Sequence, residues 1–264
     1  MAAPSLPQLS FPVTTFPTRV PPDLYNAYLN ICPVPPAESG AVVVEVPRSP
    51  PIPGLDENNT YFSFDVEADG PRAGVAPGSN SVLSIGAVAF SAHGLELASF
   101  SVNLCQLPGQ VTDQKTMDWW MKDGPNKLAF RKATEGAVLA LDGFNALREW
   151  IDTTHATNKS RTAPAGAPVG LMWPVAADHP RIDYYWSHFY KTATGDSEHF
   201  LDFKCIDMRS FVSGRLGQDY TQLGRAFFER HVPRQVATAD PHSALADARR
   251  QGQWFFNACQ GRTF

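Results

Sequence analysis

The distribution of proline constrains this chain more than any other feature of its sequence. Thirteen of its 23 prolines fall within the first 53 residues. Each proline fixes φ and removes a backbone donor, so no helix or sheet can run far through this stretch. The expectation is an extended arm over residues 1–58 and a folded domain over residues 59–264. Two islands in the arm could order, a helix over 23–31 and a strand over 41–46. An arm of this composition serves as a linker or as a docking segment.

From Thr60 the pattern changes to regular alternation. Strands are expected at Tyr61–Glu67, Ser81–Phe90 and Leu95–Leu104, with the turn at His93-Gly94 suited to a hairpin. Helices follow at Gln114–Met121 and Glu135–Thr153. In the second, Val138, Leu141, Phe144, Leu147 and Ile151 recur every three or four residues. The remaining order is strand (Val169–Val175), helix (Ile182–Thr192), strand (Phe200–Cys205), helices at Met208–Leu216 and Thr221–Glu229, and a last helix from Pro241 to Ala258. Three strands, then helices alternating with strands, describe an α/β domain built on a mixed sheet.

Composition narrows the function classes. The chain has 264 residues, 43% of them hydrophobic, enough for a sizeable core. No apolar run approaches the roughly 18 residues that span a bilayer, and no membrane partner is expected. A net charge of -4 gives no bulk attraction for nucleic acid, so such a partner must be met by local charge or by metal ions. Cys32, Cys105, Cys205 and Cys259 form no C-x-x-C pair, which argues against a zinc site and a disulfide framework. With no secretory pattern at the N-terminus, an intracellular, cytoplasmic protein is expected.

Three segments carry chemistry. On the first strand, alternation buries Phe62, Phe64 and Val66 on one face and leaves Ser63, Asp65 and Glu67 on the other. Two carboxylates that close repel each other unless a cation neutralises them, and hard divalent ions such as magnesium or manganese suit oxygen ligands. Near the C-terminus, Asp240 reads as an N-cap and Pro241 as the first helical residue. That places His242 in the first turn, where the helix dipole favours the neutral imidazole that a general base requires. Asp247 lies five residues on, about 140° around the helix, so the two could flank one cleft. A further carboxylate is offered by Ala176–Trp186, either by Asp183 ahead of an aromatic helix or by Asp178, which the following His179-Pro180 would make an N-cap.

Taken together, Phe64–Glu67 (FDVE), Asp183 before an aromatic helix and His242-x4-Asp247 resemble the DEDDh exonucleases of the ribonuclease H-like fold. Thr116–Asp123 (TMDWWMKD), Cys205–Ser210 (CIDMRS) and His242–Gln251 (HSALADARRQ) look like the branch of the mycobacterial adenylate-preferring exoribonuclease and its phage-type relatives. The resemblance covers Thr60 to Ala258. It implies two Mg2+ or Mn2+ ions, with Asp65 bridging both, Glu67 and Asp247 completing the first ion's shell, and Asp183 on the second. His242 would take a proton from the attacking water. The implied reaction is 3′–5′ hydrolysis of single-stranded RNA or RNA 3′ overhangs to nucleoside 5′-monophosphates. A DNA exonuclease of proofreading type, or a silent module that only binds nucleic acid or protein, are the rival readings.

Substrate contacts are expected from an aromatic pair and a basic stretch. Adjacent residues on a helix lie about 100° apart, so Trp119 and Trp120 cannot share one stacking platform. One belongs to the core and the other can cover a base. Lys122, Lys127, Arg131 and Lys132 could track a phosphate backbone, as could Arg225, Arg230 and Arg234. Asp207 and Arg209 read as a cap or ion pair. A second copy of the chain is a further candidate partner.

Overall fold

A computed structural model describes residues 52–122, 124–158, 166–173, 175–231 and 242–262. The two islands of the proline-rich arm, Cys32, Arg234, Asp240 and Pro241 lie outside the described residues. Five strands form one sheet: β1 (Thr60–Ala68), β2 (Val82–Phe90), β3 (Glu96–Asn103), β4 (Pro168–Met172) and β5 (Cys205–Asp207), in the order β3-β2-β1-β4-β5. β1 pairs antiparallel with β2 and parallel with β4, which makes the sheet mixed, as expected for this α/β class. The helices are α1 (Gln114–Trp120), α2 (Pro125–Thr134), α3 (Ala140–Asn158), α4 (Val175–Phe189), α5 (Met208–Leu216), α6 (Arg225–Glu229) and α7 (Ala244–Cys259). Among the described residues, no helix is long and apolar enough to cross a membrane.

Both faces of the sheet are covered, so β2 is buried along its whole length. Phe62, Phe64 and Val66 point toward Phe144, Leu147 and Ile151 of α3 and Ile182 and Tyr185 of α4. On the other face, Tyr61, Val88 and Phe90 meet Trp254, Phe255 and Phe256 of α7 and Val212 of α5. The alternation expected along β1 is therefore present, and it turns Asp65 and Glu67 toward α7.

What brings α7 onto the sheet is the absence of two side chains. Gly86 on β2 is the register partner of Asp65. A Cβ there would lie 2.1 Å from the Ala244 carbonyl carbon and the Leu245 nitrogen. At Gly252 a Cβ would lie 2.3 Å from the Phe90 ring. Backbone-to-backbone approach at Gly86 thus fixes the head of α7 one strand away from the β1 carboxylates.

Several boundaries differ from the sequence reading. Residues 125–134 form a helix that the reading passed over, started by Pro125 at its first position after Gly124. Residues 135–139 are not helical: Val138 bridges Leu104, donating to the Asn103 carbonyl and accepting from Cys105. The buried stripe of α3 therefore runs through Ala140, Phe144, Leu147 and Ile151, and Leu141 is exposed. α4 starts at Val175 instead of Ile182 and runs through Pro180, which forfeits one intrahelical bond. Phe200–Phe203 is a 3-10 turn with Leu201, Asp202 and Phe203 at positive φ, and β5 begins only at Cys205. The expected helix at Thr221–Glu229 divides into a 3-10 turn, Tyr220–Gln222, and α6. α7 starts at Ala244, with Ser243 as its N-cap, instead of at Pro241.

The arm also ends earlier than residue 58: Ile52 and Leu55 are buried in the α7-side core, and the Ile52 N–H donates to the Ala92 carbonyl. Asp207 is the N-cap of α5, accepting from the Ser210 N–H at 2.7 Å. Cys205 and Cys259 are free thiols that burial pushes up to about 12, and Cys105 Sγ donates to the Ala137 carbonyl at 3.4 Å.

Because α7 backbone occupies the space above Gly86, Gly86→Ala must displace the helix or the strand. Overpacking of this kind costs about 1–3 kcal/mol. Urea denaturation is expected to show a loss at or above the top of that range, since backbone is the obstacle and cannot rotate away.

Candidate functional site

Asp65 and Glu67 stand two residues apart on the α7 side of β1, half-buried. The turn before α7 and its first turn bring His242 and Asp247 against them. Glu67, His242 and Asp247 each offer a ligand atom, and these three atoms all lie within 4.8 Å of one another. The fourth acid arrives from the other side of β1. Because β4 runs parallel beside β1, with Ser63 opposite Leu171, the helix that follows β4 begins near the carboxyl end of β1. Asp178, in the first turn of that helix, is only 5% exposed, and its charge acts on both Asp65 and Glu67.

Of the two acids this segment offers, Asp178 is the one whose charge acts on Asp65 and Glu67. Five residues along a helix rotate a side chain by about 140°, and the Asp183 carboxylate is taken up by other partners. Asp183 instead accepts the Phe200 N–H at 2.8 Å and lies 3.2 Å from His199 Nδ1, anchoring the left-handed turn at 201–203. Asp178 is not the N-cap that His179-Pro180 suggested, because the helix has already begun at Val175.

His242 precedes the N-cap and has φ 61, so it is not in the first turn of α7 and the dipole does not account for its charge state. Burial lowers its pKa, Asp247 opposes the shift, and Arg225 and Arg250 reinforce it. Its ring packs edge-on against Trp119, with centroids 4.7 Å apart, and Trp120 lies at 6.1 Å.

The tryptophan pair divides as expected. Trp120 is core, 1% exposed, with its indole N–H donating to the Ala68 carbonyl at 3.1 Å. Trp119 is 36% exposed beside the imidazole, and Met121 and Leu128 are exposed nearby in sequence on α1's end and α2. Lys122 and Arg131 are also exposed. A cavity of about 270 Å³ lies between the sheet, α2 and the His242 turn, lined by residues including Ser84, Asn103, Leu128 and Lys132. Of the second basic group, Arg225 acts on the charges of His242 and Asp247, while Arg230 lies over the Phe227 ring.

Gathering four carboxylates raises the cost of ionising each. Burial, then the charges of Asp178, Glu67 and Asp247, hold Asp65 well above the usual carboxylate range. Burial and the neighbouring Asp247 and Asp178 push Glu67 up to about 8. Burial raises Asp178 to about 7 against the pull of Arg181, whose Nη1 lies 3.2 Å from its carboxylate. Asp247 is raised by burial and held in check by its partner Arg250. The sequence reading assigned no role to Arg181, Arg250 or Gln251, which donates to Asp65 Oδ1 at 2.7 Å. Four oxygen donors with an imidazole at their edge suit a hard divalent cation, Mg2+ or Mn2+, and the raised carboxylates are the sign that such charge is wanted.

No protein-family profile matches the chain, and no curated protein sequence does. Solved structures do. The nuclease domain of 3'hExo, a DEDDh family member, bound to rAMP, superposes with a TM-score of 0.51 at 11% identity, over 76% of this chain and 92% of that one. A full-length 3'-exonuclease gives 0.47 at 11% identity, over 76% and 82% of the two chains. Exonuclease I gives 0.46 at 12%, over 74% of this chain and 39% of that one. The first likeness shows that the described domain has a ribonuclease H-like α/β fold.

The raised carboxylates make metal-free stability pH-dependent with a definite sign. Unfolded, Glu67 and Asp178 release their protons near 4.5 and 3.8; folded, they keep them to about 8 and about 7. Between those limits the folded state binds more protons, so stability falls as pH rises. In EDTA, calorimetry is expected to show Tm falling from pH 5 to pH 8, less steeply in Asp178→Asn. Excess Mg2+ should raise Tm more at pH 8 than at pH 6.

Proposed function

We propose that this chain is a metal-dependent 3′–5′ exonuclease that hydrolyses single-stranded nucleic acid, RNA in preference, and releases nucleoside 5′-monophosphates. One observation carries the reading: acids from three separate elements, β1, α4 and α7, converge with a histidine of lowered pKa. The likeness of the fold to a 3′-exonuclease domain, and the resemblance of residues 64–67 and 242–247 to DEDDh motifs, support it. RNA is favoured by the resemblance of residues 116–123, 205–210 and 242–251 to an exoribonuclease branch.

Asp65, Glu67, Asp178 and Asp247 are the residues that would hold the cations. Bound there, such ions would supply the activation of a water nucleophile, the stabilisation of the leaving oxygen, and a positive charge for a phosphodiester that a chain of net charge -4 otherwise lacks. His242 is the general base, accepting a proton at the ring nitrogen that faces Glu67 and Asp247. Burial favours the neutral imidazole, the form the role demands. Trp119 presents its exposed ring for stacking on a base, a contact tolerant of sequence. Lys122 and Arg131, both exposed, are the cations for the trailing backbone.

The acid on α4 separates this assignment from its neighbour. Asp178→Asn is expected to lower hydrolysis of end-labelled RNA in Mg2+ or Mn2+ at least a hundredfold with the fold intact. Asp183→Ala should keep activity and lose about 1–3 kcal/mol of stability, because the Phe200 N–H is left unsatisfied. The opposite pattern would return the role to Asp183.

His242→Ala should slow the reaction about a hundredfold or more. Matched RNA and DNA oligonucleotides, with mononucleotide products resolved from a 3′ label, test polarity and sugar preference. Faster loss of DNA would transfer the reading to a DNA exonuclease, and no cleavage of either by the wild type would leave a binding module.

A further inference from the structure

We propose that Gln251 is a positioning residue that sets the Asp65 carboxylate for cation binding, an inference that rests on the metal-holding role of Asp65 given above. It starts from a match of spacings. On a strand, residues i and i+2 are separated by about 6.6–6.8 Å. On a helix, residues i and i+4 share a stripe and are separated by about 6 Å. α7 therefore lays two side chains along β1 in register: Asp247 meets Glu67, and Gln251, four residues on, meets Asp65.

The contact is specific in chemistry as well as place. Gln251 is 7% exposed and its Nε2 donates to Asp65 Oδ1 at 2.7 Å. Its Oε1 is buried with no hydrogen-bond partner among the described residues. When Asp65 is ionised, as cation binding requires, the amide nitrogen is the atom that faces it, because the amide oxygen would repel a carboxylate. A leucine would fill this volume against the sheet without burying an orphan acceptor, so packing alone does not explain an amide here.

What the amide supplies is a neutral donor. An arginine in its place would pair with the carboxylate and compete with the cation for its charge, as Arg250 pairs with Asp247 one residue away. Gln251 engages one oxygen of Asp65 and adds no charge. It fixes the carboxylate plane while leaving the negative charge for the ion. Hydrogen-bonding partners of metal ligands typically change metal affinity ten- to a hundredfold when removed.

The test is Mn2+ binding by calorimetry on the full chain, beside Tm measured in EDTA, for wild type, Gln251→Leu and Gln251→Met. Both variants are expected to match or exceed the wild-type Tm in EDTA and to bind Mn2+ ten- to a hundredfold more weakly. Mn2+ affinity within twofold of wild type in both variants overturns the proposal, whatever their Tm. A lower Tm in EDTA with unchanged affinity does so too, by assigning Gln251 to packing. A wild type that binds no Mn2+ overturns this proposal together with the cation reading, whereas normal wild-type binding with unaffected variants overturns this proposal alone.

Discussion

The contact on which the site depends is the approach of the α7 backbone to Gly86. With no side chain at that position, the Ala244–Leu245 peptide occupies the space a Cβ would need. Gly86 is also the register partner of Asp65, so the same contact sets the lateral distance between helix and acids. Everything α7 contributes follows from that one placement: Asp247 opposite Glu67, Gln251 opposite Asp65, and the His242 turn between Trp119 and the carboxylates. The tight fit of Gly252 against Phe90 two turns later keeps the helix from tilting off the sheet.

A packed core built around this contact carries an electrostatic load that packing alone does not relieve. Asp65, Glu67, Asp178 and Asp247 each hold their protons above the ordinary range. Two of the four carry an arginine three residues on along the same helix, Arg181 after Asp178 and Arg250 after Asp247. Both arginines sit in the interior or at its edge, where an ion pair recovers little more than its desolvation cost. They soften the repulsion without cancelling it. A cluster that breaks local rules of stability in this way is what a bound cation would relieve.

A second strained region flanks the site and shows how a carboxylate can be structural. Leu201, Asp202 and Phe203 follow one another at positive φ, and none is glycine. Such conformations persist only when surrounding contacts impose them. Here Asp183 fixes the Phe200 N–H, and Phe200 itself is buried against Phe64 and Trp186. The turn delivers the chain into β5, which pairs with β4 and so supports the strand from which Asp178 emerges. Asp183 thus supports this turn from a position five residues along α4 from Asp178.

How much of this was legible in the sequence follows from which forces are local. Alternation along Tyr61–Glu67 placed Asp65 and Glu67 on one face because side chains in a strand reverse at every residue, and the hairpin, the mixed sheet and the split between Trp119 and Trp120 came from similar short-range rules. The same rules misread α4 and the start of α7. Pro180 and Pro241 each look like a first-turn proline, yet α4 runs through one and Ser243 caps α7 three residues before Ala246. Gln251 was readable as the residue one helical repeat after Asp247, but a repeat has no partner until the opposing strand is known.

Only the tertiary structure could set Asp178 where its charge acts on the β1 acids, reveal the closeness of Gly86 to α7, and set Gln251 on Asp65. Each of these is a contact between residues remote in the chain, 186 positions apart in the last case, and is settled by how helices dock on the sheet. The sequence by itself determined which residues could be acids on an exposed face; docking determined which of them meet.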